Sequence, residues 1–72
     1  MNYNKAVVVA NYTPQGISVI DIHICDGSGR VLIHAAKRLI DEINAITVLD
    51  KTKIKTIVAR KYGVSLNNVV FQ

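Results

Sequence analysis

Two stretches near the start of the chain carry the period of two expected of strands. Lys5 to Tyr12 is rich in Val and Ala, and Ile17 to Ile24 alternates Ile and Val with polar residues. Between them lies Thr13-Pro14-Gln15-Gly16. Pro suits the second position of a type I turn and Gly accepts the left-handed conformation that follows, so the pattern predicts a three-residue hairpin loop with a glycine bulge. That loop would set Thr13 opposite Ile17, Ala10 opposite Ile20, Val8 opposite Ile22 and Ala6 opposite Ile24. One face of the hairpin is then wholly apolar, and the other carries Val7, Val9 and Asn11 against Val19, Asp21 and His23. A slip of one residue would bring Asp21 and His23 onto the core face, which disfavours it.

Beyond Cys25 the run Asp26-Gly27-Ser28-Gly29-Arg30 reads as a loop, with Ser28 as a helix N-cap. From Val31 onward Leu32, Ala35, Ala36, Leu39, Ile40 and Ile43 fall at helical spacing, while His34, Lys37, Arg38, Asp41 and Glu42 take the other side. This predicts an amphipathic helix ending near Asn44. The alternative is a hairpin turn at Asp-Gly-Ser-Gly and a strand from Arg30 to His34. The helix is preferred because Val31, Leu32 and Ile33 do not alternate.

Ile46 to Leu49 is a short apolar connector. Asp50 can cap a second helix, Lys51 to Tyr62, in which Ile54, Ile57, Val58 and Tyr62 face inward and Gly63 ends the turn. Val69-Val70-Phe71 has strand composition. The expected architecture is a single α+β domain over residues 1–72: a small three-stranded sheet, made of the N-terminal β-hairpin plus a C-terminal strand, with two helices on one face and element order ββααβ.

A chain of 72 residues, half of them hydrophobic, builds one thin core. Only four aromatics contribute to it, Tyr3, Tyr12, Tyr62 and Phe71. The single cysteine, Cys25, excludes an intramolecular disulfide, so a reducing, cytoplasmic setting is expected. The apolar run Ala6 to Ala10 is too short for a signal-peptide core or a membrane span, and no membrane association is expected. The mixed hairpin face of Val7, Val9, Val19, Asp21 and His23 is too apolar for comfortable exposure, which points to a protein partner or a homodimer.

Nine Lys and Arg against five Asp and Glu leave a net charge of +4. The excess is local: Lys51, Lys53, Lys55, Arg60 and Lys61 follow one another with no acid among them. Such a segment attracts phosphate backbones or serves as a solubilising helix face. The stretch Ala59 to Val69 resembles the core of a DNA-binding helix-turn-helix, with Ala59, Gly63 and Val69 at the small, turn and anchor places. Lys53, Lys55, Arg60 and Lys61, with Asn67 and Asn68 in the following turn, form the candidate surface for DNA or RNA. A helix, a glycine cap, a polar turn and a terminal strand account for the same residues, and the apolar Val70 and Phe71 after the anchor favour that reading.

Catalytic chemistry finds little support. The Asp26–Arg30 loop has neither the Gly-Lys-Ser nor the three-glycine pattern of phosphate-cradling loops. Asp21, His23 and Cys25 would share one strand face, and that set of residues suggests a metal site or a nucleophile with its base. Three ligands along one flat strand do not converge on one ion, and His34 is expected far off on a helix surface. No catalytic residue, metal or cofactor is therefore expected. The expected function is a non-enzymatic nucleic-acid-binding or regulatory module using its basic second helix, with a protein-interaction or inhibitory module acting through the mixed sheet face or edge as the alternative.

Overall fold

A computed structural model describes residues 3–72. The long hairpin is present as β1 (Lys5–Thr13) and β2 (Gly16–Cys25). It is followed by β3 (Val31–His34), α1 (Lys37–Asn44), α2 (Lys51–Tyr62), a 3-10 turn at Leu66–Asn68, and β4 (Val69–Phe71). The four strands form one mixed sheet in the order β3-β2-β1-β4, antiparallel except for the parallel pair β1 and β4. The α+β class and the helix pair are as expected, and the sheet has a fourth strand beside the expected three.

The inner half of the hairpin has the expected register, with Ala6 opposite Ile24 and Val8 opposite Ile22. Its outer half does not. Thr13 pairs with Gly16, so the loop holds only Pro14 and Gln15, and the residue left over is absorbed by a bulge at Ile20 that shifts Ala10 to Val19 and Tyr12 to Ile17. The bulge exchanges two neighbours across the sheet. Val19, expected on the mixed face, is 3% exposed in the core, whereas Ile20, expected in the core, is 60% exposed.

Val31 to His34 is a strand, which corrects the helix expected to begin there. The Asp26 carboxylate accepts hydrogen bonds from the Ser28 amide (2.9 Å), the Ser28 hydroxyl (2.7 Å) and the Arg30 amide (3.0 Å). Gly29 sits at φ 90°, and the Asp26 amide reaches the Arg30 carbonyl at 3.0 Å. Asp26 thus organises a hairpin turn, and Ser28 caps no helix. The strand then pairs His34 with His23 and Ile33 with Ile24. In a helix Ile33 would have only its own stripe to pack on, whereas in the sheet it joins the core beside Ile24. Helix α1 begins only at Lys37, with Ala36 as an N-cap that makes no side-chain bond.

Both helices lie on one face of the sheet. Ile43 of α1 and Ile54 and Val58 of α2 meet Ala6, Val8, Val19, Ile22, Ile24 and Val69 in a single cluster. Past the end of β3, the exposed edge of β2 is closed by α1: the Asn44 amide accepts from the Val19 N–H (2.8 Å) and donates to the Val19 carbonyl (2.9 Å), standing where the next strand's backbone would be. The Asp50 side chain caps α2 by accepting from the Lys53 amide at 2.8 Å, and Gly63 ends the helix in the left-handed region at φ 70°. The chain then returns through the 3-10 turn into β4. No recognition helix forms, and the helix-turn-helix resemblance stops at the glycine.

Candidate functional site

With the helices covering one face of the sheet, two candidate surfaces remain back to back: the outer side of the helix layer and the open face of the sheet.

The helix layer carries the sequence-predicted cations. At about 100° per residue, Lys53 and Arg60 point within about 20° of each other, whereas Lys55 lies about 140° round the helix from Arg60. The four residues Lys53, Lys55, Arg60 and Lys61 therefore do not make one stripe. Lys53 donates its ammonium to the Val48 carbonyl just before the helix. Lys51 holds its ammonium 5.3 Å from the ring centres of both Tyr12 and Phe71. Arg60 and Lys61 are exposed and, with Thr56, flank an apolar groove floored by Leu39 and Ile57 between the two helices. Asn67 and Asn68 are exposed on the 3-10 turn, which packs on α2.

The carboxylates make their closest contacts with other groups. Asp41 lies 3.6 Å from Lys37 and Glu42 3.6 Å from Arg38 along α1. Asp50 caps α2, Asp26 is folded into its own turn, and Asp21 is on the far side of the sheet. Among the described residues, no α2 cation has a carboxylate within 4.0 Å.

The open face is divided. Toward β4 it is apolar, with Val7, Val9 and Val70 half-buried. Toward β3 it is polar, and the hairpin turn brings His34, expected on a distant helix surface, beside Asp21 and His23, which were expected to share this face. Asp21 Oδ2 lies 3.1 Å from His23 Nε2 and 3.0 Å from His34 Nδ1, so both imidazoles donate to one carboxylate oxygen. The other oxygen, Oδ1, accepts from the Ile22 amide at 2.8 Å, which fixes the carboxylate's orientation. The two rings pack edge to face with centres 4.6 Å apart. Burial pushes the Asp21 carboxyl up, but the hydrogen bonds from His34, the Ile22 amide and His23 outweigh it and hold the group below the ordinary aspartate value.

His34 is the residue the sequence reading placed wrongly, on a helix far from Asp21. The signal that locates it is the near-symmetry of the Asp26–Arg30 turn, because a hairpin centred between Ser28 and Gly29 puts residue 34 opposite residue 23. Cys25, expected to follow His23 on this face, is instead buried after an irregularity between Ile24 and Cys25.

The chain matches no family model, no curated protein and no solved structure. Among the described residues, no helix is long and apolar enough to cross a membrane.

Proposed function

We propose that the chain is a non-enzymatic nucleic-acid-binding or regulatory module that engages phosphate backbones through the outer surface of its helix layer. The observation that carries this reading is the distribution of its carboxylates: each of the five makes other contacts, Asp50 as the cap of α2 itself, and none lies within 4.0 Å of an α2 side-chain cation. A cluster of this kind projects a positive field over distances comparable to the Debye length, about 8–10 Å at physiological salt. Arg60 and Lys61 are best placed to meet phosphates, with Asn67 and Asn68 in the adjoining turn. Lys53 shares the Arg60 side of the helix, a turn and more away and bonded to the Val48 carbonyl, and Lys55 contributes from another direction.

The test is fluorescence anisotropy with labelled single-stranded RNA and duplex DNA across a salt series. Affinity is expected to fall linearly on a log–log plot, with a slope of about 0.7–0.9 per phosphate contacted. Absence of binding to either nucleic acid at low salt rejects the reading.

A second reading rests on the apolar half of the open sheet face. Val7, Val9 and Val70 are only half covered, and a protein partner or a second copy of the chain would bury them. Sedimentation of the parent and of Val9→Lys tests the homodimer: a dimer that the charge disrupts supports it, and a monomeric parent rejects it.

A further inference from the structure

We propose that Asp21, His23 and His34 form a binding site for one divalent transition-metal ion of the zinc type, on the face of the sheet opposite the helices. The inference is independent of nucleic-acid binding, since no residue of the helix layer takes part in it.

The first argument is convergence. Asp21 and His23 come from β2, and His34 comes from β3 as the cross-strand partner of His23. Their donor atoms, one carboxylate oxygen and two imidazole nitrogens, all lie within 4.8 Å of one another. In a tetrahedral zinc site with bonds of about 2.0–2.1 Å, ligand atoms stand about 3.3 Å apart. The two Asp21 contacts, 3.0 and 3.1 Å, are already close to that spacing. The remaining adjustment falls largely on His34, whose side chain is 60% exposed.

Donor chemistry is the second argument. Two imidazoles and one carboxylate suit zinc and its first-row neighbours, and disfavour calcium or magnesium, which prefer all-oxygen shells. The carboxylate is already oriented by the Ile22 amide, the kind of supporting hydrogen bond that positions ligands in metal sites. An ion at this point takes the lone pairs of His23 Nε2 and His34 Nδ1 in place of the hydrogen bonds to Asp21 Oδ2. Each neutral imidazole then keeps its single proton, moved by tautomeric exchange with water to its other nitrogen, His23 Nδ1 and His34 Nε2, so no other reactant is needed. The three ligands lie on the uncovered side of the sheet, leaving the fourth position to water or an external donor. The ion would also tie β3 to β2, so binding should raise the thermal stability of the fold.

Zinc is titrated into the purified chain against a chromophoric chelator, with thermal melts in parallel and cobalt as a spectroscopic substitute. The expected result is one ion per chain at micromolar concentrations, a higher Tm with zinc, and visible cobalt bands of tetrahedral type. His34→Ala and Asp21→Asn should each weaken binding by about tenfold or more. His34 is exposed, so its variant is expected to retain the parent's circular dichroism spectrum, and Asp21→Asn gives a second, near-isosteric check. Absence of zinc binding at micromolar concentrations, or binding that both variants leave unchanged, overturns the proposal.

Discussion

The outer helix surface and the open sheet face lie on opposite sides of one core, and they handle their charges in opposite ways. On the sheet, the Asp21 carboxylate is held in one orientation by hydrogen bonds from His23 and His34 within 3.1 Å and from the Ile22 amide. On α2, Arg60 and Lys61 are exposed and have no carboxylate within 4.0 Å, so their field extends into solvent. Polar groups converging at fixed geometry favour recognition of a small, localised ligand. Uncompensated charges on mobile side chains favour a large, diffuse polyanion and must show salt dependence. The contrast separates the two surfaces experimentally as well as spatially.

The largest expected effect comes from the core that both surfaces share. Ile22 is fully buried between them, directly after Asp21 in β2. Ile22→Ala should cost about 2–5 kcal/mol and impair both surfaces together, as read by chemical denaturation. If one surface kept its properties through such a loss, the two would not depend on one folding unit.

Next comes Asn44→Ala, which removes both hydrogen bonds to the Val19 backbone and leaves an edge N–H and C=O without their partner. A cost of about 1–3 kcal/mol is expected. Because this contact lies beside the bulge that sends Val19 inward and Ile20 outward, amide exchange near Ser18–Ile20 should rise while that of β4 stays slow.

Arg60→Gln with Lys61→Gln sharpens the comparison most directly. These exposed changes should alter stability by no more than about 0.5 kcal/mol. They should also lower the salt slope of nucleic-acid binding by about 1.4–1.8, two phosphate contacts at 0.7–0.9 each. An unchanged slope would move the contact surface away from α2.

The smallest effect concerns the turn that delivers His34. Hydrogen bonds from the Ser28 side chain and the Arg30 amide hold the Asp26 carboxyl below the ordinary aspartate value. Its contribution is therefore complete above that ordinary value and is lost as pH falls through the lower, folded-state one. In Asp26→Asn this acid-dependent loosening should disappear, as followed by the pH dependence of the Ser28 and Arg30 amide signals in NMR.

Local chemistry was decisive wherever an element was specified by its own residues. Asp50 and Gly63 bound α2 by a side-chain cap and a left-handed glycine, and both are legible from four or five neighbouring residues. Strand alternation likewise placed Ala6, Val8, Ile22 and Ile24 on the core face, and the β-branched and aromatic content of Val69–Phe71 marked a strand. Two features depended instead on contacts between distant segments. The bulge at Ile20 trades one residue of loop for one residue of strand, and local propensity barely distinguishes the two; Val19 settles inward where Asn44, 25 residues away, meets its backbone. Val31 to His34 fits a helical stripe or an edge strand, and the free edge of β2 decides for the strand by supplying hydrogen-bond partners and a place beside Ile24 for Ile33. The composition of the metal candidate was therefore visible in part, as Asp21 and His23, but its third member was not. Spacing along one strand separates ligands, and only a neighbouring strand in register can bring a third within 4.8 Å of both.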